Sequence, residues 1–126
     1  MDYRVSLSEN GRHVLIQVLA PMTSEVGHRC GTEAARLAAE KQVDRYFFDL
    51  RNSPNVQTVV DNYEFAYTEM ADFGFPRNSR SVLLVRPDDA SHDFIETAFF
   101  NAGYRVKKFT DPAVAVAWLE MDVASQ

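Results

Sequence analysis

Cysteine, histidine and glycine are scarce in this chain, and each scarcity excludes a class of protein. The single cysteine, Cys30, has no partner within the chain, so we expect a reducing compartment and no disulfide. The three histidines stand far apart, without Cys, Asp or Glu at a metal-ligand spacing, so we expect no metal site. No glycine-rich loop follows a predicted strand, so we expect no nucleotide or other cofactor.

The chain also lacks long apolar runs and an excess of positive charge. No segment approaches the roughly 20 apolar residues that span a bilayer, and the N-terminus has no signal-peptide pattern. The net charge of -5 repels nucleic-acid backbones. We therefore expect a soluble, cytoplasmic protein with no membrane span and no nucleic-acid partner. The length and the 46% apolar content predict a single domain over residues 1–126.

The N-terminal segment has the pattern of a β-hairpin. Apolar and polar residues alternate over residues 3–8, which indicates a strand with one buried face. Asn10-Gly11 is a pair that a type I′ turn prefers, because both central residues of that turn need a positive φ. The more apolar residues 13–19 would form the partner strand, so the first two strands are expected to be antiparallel.

Helices and strands alternate after this hairpin. Helices are predicted over residues 23–42, 56–73, 88–102 and 112–119, and strands over residues 44–50, 81–85 and 104–109. Connections through helices of this length make successive strands parallel. The predicted fold class is therefore α/β, with a single mixed, mostly parallel sheet flanked by helices.

The second predicted helix carries a regular apolar stripe, which we expect to pack in the core. Its members are Val56, Val59, Val60, Tyr63, Ala66, Tyr67, Met70 and Phe73. Phe75 falls outside this stripe and is predicted to be exposed, where an aromatic ring often anchors self-association. We therefore expect a homodimer in which Phe75 takes part; the alternative is that the short loop turns the ring under the sheet.

Polar residues follow the predicted parallel strands, at the edge where ligands of open α/β sheets bind. These candidates are Asp49, Asn52, Ser53, Arg86, Asp88, Asp89 and Asp111. The same residue types also form turns and helix caps, and Asp88 or Asp89 is expected to cap the third helix. An alternative function is a small enzyme that uses this acidic edge, although no nucleophile motif accompanies it.

A resemblance to a known family lies in the element order, in the segment Phe47-Phe48-Asp49-Leu50-Arg51 and in residues 104–111 and 115–119. In these features the chain resembles the STAS family, which is named for sulphate transporters and anti-sigma-factor antagonists. The likeness is greatest to the SpoIIAA-like branch. It implies a non-enzymatic regulatory module that contacts a protein partner around the second helix and the loop before it, over residues 52–75. It also implies a regulatory serine in an Asp-Ser-x-Gly segment, which this chain lacks, so Ser53 and Thr58 are predicted to stay unphosphorylated.

Two further resemblances leave alternatives open. The SpoIIAA-like branch resembles lipid-binding Sec14-type domains, which implies an apolar small-molecule ligand and a cavity of roughly 300 Å³ or more in place of a filled core. Residues 82–89 and 103–119 are similar to the first half of a response-regulator receiver, with Asp88 and Asp89 matching its acidic magnesium-binding pair. The strand that would carry the phosphoacceptor is missing after Leu119, so this alternative is a degenerate receiver-like signalling domain.

Overall fold

The strands of this protein lie side by side in the order in which they occur in the chain. A computed structural model describes residues 1–72 and 74–121. Its five strands are β1 (Tyr3–Leu7), β2 (Val14–Val18), β3 (Arg45–Asp49), β4 (Arg80–Leu84) and β5 (Arg105–Phe109). β1 and β2 are antiparallel, and every other neighbouring pair is parallel. The predicted α/β class with one mixed sheet is confirmed.

Helices cover both faces of the sheet. They are α1 (Ser24–Lys41), α2 (Val59–Glu64), a π-helical turn (Phe65–Glu69), α3 (Met70–Asp72), α4 (Asp93–Asn101) and α5 (Pro112–Leu119). α1, the segment from α2 to α3, and α4 pack on the face that holds the larger core, whereas α5 is the only helix of residues 1–72 and 74–121 on the other face. Within the described residues, no helix combines the length and the apolar character needed to cross a bilayer.

Side-chain caps and a left-handed glycine mark the ends of several helices. The Thr23 side chain accepts a hydrogen bond from the first turn of α1. Asp111 accepts hydrogen bonds from the N–H groups of Ala113 and Val114 at the start of α5, where Pro112 occupies the first helical position. α4 is followed by Ala102 and then by Gly103, whose φ of 93° suits a left-handed helix end.

The hairpin loop differs from the predicted type I′ turn. Only Gly11 of the central pair has a positive φ, at 72°. The loop occupies residues 8–13 and is closed by a hydrogen bond from Gly11 N–H to the Ser8 carbonyl, at 2.9 Å. The Asn10 side chain accepts a bond from the Arg12 N–H and donates to Glu120 beside the loop. Because these side-chain bonds hold a longer loop, the prediction of a two-residue turn is wrong.

The predicted cap of α4 is also wrong. The residue that precedes α4 is His92, which makes no side-chain capping bond. Asp89 instead accepts a hydrogen bond from the Ser91 N–H at 2.8 Å, and its own N–H bonds to the Arg86 carbonyl. A separate turn therefore lies between β4 and α4, so Asp88 and Asp89 stand too early in the chain to cap the helix.

The apolar stripe predicted for the second helix is divided between the surface and the core. Met70 is buried as predicted, but Val59 and Val60 are 54% and 70% exposed. Asn62 and Phe65 occupy buried positions that the stripe did not include. The π-helical turn explains this shift, because its wider turn changes the angular register between the residues before and after it. Phe73, the last predicted member, lies outside the described residues.

Phe75 is buried, which overturns its predicted exposure and its predicted role as a dimer anchor. It is 4% exposed, and its ring centroid lies 4.4 Å from that of Tyr46. Phe48 and Tyr104 pack against the same ring at 6.4 and 6.2 Å. Gly74, with a φ of 83°, turns the chain back after α3 and directs the ring under the sheet.

Candidate functional site

The loops after β3 and β4 meet at the carboxyl edge of the sheet, as the sequence predicts. The Arg86 guanidinium donates a hydrogen bond to the Asn52 side-chain oxygen at 2.9 Å. Asp49 accepts two hydrogen bonds from the Arg51 side chain, at 2.8 and 3.0 Å. Burial raises the pKa of Asp49, but the bonds from Arg51 outweigh it, so the net pKa lies below the usual value. The negative charge of Asp49 is therefore balanced by the positive charge of Arg51.

Ser53 and His92 form a buried contact that the sequence did not indicate. The ring Nε2 of His92 lies 2.7 Å from the Ser53 carbonyl, so it carries the proton and donates. Burial lowers the pKa of His92, against opposing effects of the Ser53 carbonyl and Asp89. The Ser53 hydroxyl has no hydrogen-bond partner among the described residues. Because the histidine bonds the backbone and not the hydroxyl, the two residues do not form a nucleophile and base pair.

The other edge candidates serve local structure. Asp88 is exposed, and a hydrogen bond from Ser91 holds the pKa of Asp89 below its usual range. Asp111 caps α5, which lies on the opposite face of the sheet. Over residues 1–72 and 74–121, no group of three His, Cys, Asp or Glu side chains is placed to hold a metal ion. The candidates therefore do not converge on one ligand.

Thr58 and Ser53, the two hydroxyl candidates of the loop before α2, have different environments. Thr58 is exposed and forms a capping box with Asp61: its hydroxyl accepts from the Asp61 N–H, and the Asp61 carboxylate accepts from the Thr58 N–H. Ser53 has no exposed surface. A kinase could therefore reach Thr58 in this conformation but not Ser53, and the absence of phosphorylation stays a prediction.

An apolar surface, which we call the α2 surface, lies at the start of the second helix. It consists of Val56, Val59, Val60, Tyr63, Tyr67 and Phe94. The rings of Tyr63 and Tyr67 stack at 5.9 Å, and Phe94 of α4 meets Tyr63 edge-on at 5.2 Å. Packed rings of this kind present a large apolar area in a fixed arrangement, at a small cost in side-chain entropy.

The charges around the α2 surface are negative. Asp61, Glu64 and Asp72 are all exposed, and residues 56–72 include no lysine or arginine. Glu69 of the same segment lies 3.6 Å from the His28 ring. The surface therefore combines an apolar centre with an acidic rim, an arrangement that favours a partner with basic residues around its own apolar contact.

A small apolar cavity lies on the inner side of the same helical segment. It is lined by α1, the π-helical turn, α4 and the sheet, is partly open to the outside, and has a volume of about 60 Å³. Gly27 of α1 allows a close approach here, because a Cβ at this position would lie 2.9 Å from the Phe65 ring. The cavity is much smaller than the roughly 300 Å³ expected for a drug-sized or lipid-sized ligand.

Comparisons with known proteins do not identify a family for this chain. No family model matches it, and a search of the curated proteins finds no match. Its resemblance to the STAS family therefore stays a prediction from sequence and element order. The geometry of the α2 surface and of the cavity is the basis on which a function can be proposed.

Proposed function

We propose that this protein is a non-enzymatic regulatory module of STAS type that binds a partner protein through the α2 surface. The observation that carries the proposal is the exposure of Val56, Val59 and Val60, at 60%, 54% and 70%, beside packed aromatic rings. Isolated exposed apolar residues are common, but a contiguous set in one short segment is typical of an interaction site.

The shape of the α2 surface suits protein recognition. Tyr63 is held between Tyr67 and Phe94, so these rings need little reordering when a partner covers them. The capping box of Thr58 and Asp61 fixes the start of the helix that carries Val59 and Val60. A rigid apolar patch on a capped helix can bury area without a large loss of conformational entropy, which favours binding.

The charge pattern favours a different protein over a second copy of this chain. Two copies that met at the α2 surface would bring Asp61 and Glu64 near their equivalents, and each chain carries a net charge of -5. Like charges across an interface oppose association. The proposed partner therefore presents apolar side chains surrounded by lysine or arginine.

The residues at the carboxyl edge supply no contact that favours the enzyme or the receiver alternative. Asp49 is bonded to Arg51, and Asp89 is bonded to the backbone of Ser91. The buried Ser53 hydroxyl is not bonded to His92, whose Nε2 is engaged with a carbonyl group. A role in protein binding explains why the apolar residues of the α2 surface are exposed, whereas the enzyme and receiver alternatives do not explain it.

Affinity capture from extracts of the source cells tests the proposal with one substitution. Val60→Lys places a charge in the apolar centre of the α2 surface and cancels part of the acidic rim. We expect the amount of the principal partner captured to fall at least about tenfold, the change that roughly 1.4 kcal/mol of binding free energy produces. Because Val60 is exposed, the free energy of unfolding should change by only about 0.5 kcal/mol or less.

Val114→Lys is the matched control, because Val114 is 53% exposed and belongs to α5 on the opposite face. This variant should capture the partner as well as the wild type does, and capture by both should weaken with added salt. Undiminished capture by Val60→Lys would contradict the proposal. So would sedimentation that shows the chain pairing with itself through residue 60.

A further inference from the structure

We propose that the cavity beneath the π-helical turn is a binding site for a small neutral molecule with an apolar body and one hydrogen-bonding group, anchored by the hydroxyl of Ser81. The cavity lies between α1 and the parallel part of the sheet. Phe48 belongs to the central strand β3, which has a neighbouring strand on each side. Its side chain is nevertheless only partly buried, because its ring faces this cavity. This site is separate from the α2 surface and does not depend on the proposed function.

The hydroxyl of Ser81 is the polar group that lacks a partner in this cavity. Ser81 is 2% exposed, and its Oγ makes no hydrogen bond to any described residue. Its neighbours across the strands are Tyr46 and Val106. A valine at this position on a buried strand would leave no polar group unsatisfied. The presence of a serine therefore favours a ligand that forms a hydrogen bond with the Ser81 hydroxyl.

Water is a poor occupant of this space. A buried water usually makes two to four hydrogen bonds, and about three on average. The other polar side chains of the lining, which include Asn55, Gln57 and His92, already bond to groups of the protein. The remaining walls are apolar, among them the rings of Phe65 and Phe75. A molecule with one polar group and an apolar body satisfies Ser81 and the walls together.

The lining also sets the charge and size of the ligand. None of the described residues that line the cavity is Asp, Glu, Lys or Arg, so a carboxylate or phosphate would be desolvated without compensation. The volume available inside the cavity is about 60 Å³. The cavity therefore holds a few heavy atoms, such as the hydroxyl end of a short alcohol whose tail extends toward the opening, and is too small for a lipid chain.

Methionine methyl groups provide a direct probe of occupancy. Met22 and Met70 line the cavity, whereas Met1 is 88% exposed and serves as an internal control. In protein labelled with 13C at the methionine methyls, 1-butanol should shift the Met22 and Met70 signals saturably and leave Met1 unchanged. Butyrate has a chain of the same length but carries a charge, and it should shift neither Met22 nor Met70.

Ser81→Ala keeps the space and removes the hydroxyl, so butanol affinity should fall by about fivefold to tenfold, as the loss of one neutral hydrogen bond implies. Wild-type affinity in this variant would overturn the proposal. Equal binding of butyrate, unsaturable shifts that include Met1, or a long-lived water beside Ser81 that butanol does not displace would also overturn it. If Ser81→Ala does not fold, the comparison of butanol with butyrate on the wild type decides.

Discussion

His92 shows how a single buried residue connects two loops of this protein. Its ring precedes α4, is 1% exposed, and donates to the carbonyl of Ser53 in the loop after β3. This contact is not predictable from the sequence, because a lone histidine has no partner pattern that marks it as buried. The carboxyl edge of the sheet follows from the order of strands and turns, whereas the polar groups that face inward at this edge depend on tertiary packing.

The pH dependence of folding tests the buried state of His92. Burial lowers its pKa in the folded protein below the usual 6.5, so below that pH the unfolded chain binds a proton that the folded chain resists. The contribution of neutral His92 is thus present above pH 6.5 and is lost as the pH falls through the folded-state value. The free energy of unfolding should therefore fall less between pH 7 and 5 in His92→Gln than in the wild type. The difference between the two proteins should be at most about 1.4 kcal/mol per pH unit.

Urea unfolding of both proteins at each pH provides the measurement. His28→Gln is a suitable control, because its side chain is 47% exposed and His92 remains in place, so the steeper wild-type dependence should persist. Parallel curves for the wild type and His92→Gln would show that His92 is not held in its neutral form by the fold.

At the scale of elements, the sequence predicted the order of helices and strands well and the orientation of the second helix poorly. Strand positions follow from apolar runs and turn residues, which are local properties of the chain. The face that a helix buries depends on its register, and the π-helical turn from Phe65 to Glu69 changes that register. Val59 and Val60 therefore looked like core residues although they lie on the surface, and Val56 precedes the helix, which begins at Val59 and not at residue 56.

Phe75 was misplaced for a related reason. Its position outside the stripe suggested exposure, but Gly74 reverses the direction of the chain and returns the ring to the core. The conformation of a single glycine decides between these outcomes. The backbone conformation of Gly74 leaves no periodic pattern in the sequence. The sequence is therefore compatible both with an exposed Phe75 ring and with one turned under the sheet.

β4 provides the clearest test of the sheet itself. Every residue of this strand is buried, and Leu84 packs against α5 with 1% exposure. Leu84→Asp would place an unpaired carboxylate in this core, at a cost of about 3–5 kcal/mol, against a typical total stability of about 5–15 kcal/mol. We expect a large fall in melting temperature or loss of the cooperative transition by circular dichroism.

Val114→Asp introduces the same side chain at an exposed position of α5, and it should leave the melting temperature nearly unchanged. A melting temperature for Leu84→Asp close to that of the wild type would contradict the buried position of β4. Comparing the two variants separates the effect of burial from that of the added negative charge.

At the scale of the whole molecule, the two faces of the sheet differ in construction. Among the described helices, α5 covers one face over a small core, whereas α1, the segment from α2 to α3, and α4 cover the other. The α2–α3 segment presents Val59 and Val60 to the outside and places Phe65 and Met70 in the lining of the cavity. This segment is thus the part of the chain in which exposed apolar surface and incompletely filled interior occur together.

Site-specific photo-crosslinking in the source cells tests the partner-binding role of this segment most directly. A benzophenone side chain at position 60 lies in the α2 surface, and the same group at position 114 is also exposed, on α5. If the α2 surface binds a partner, position 60 should give a covalent adduct to one partner protein and position 114 none. An adduct formed only from position 114, or none from either position, would contradict partner binding by the α2 surface.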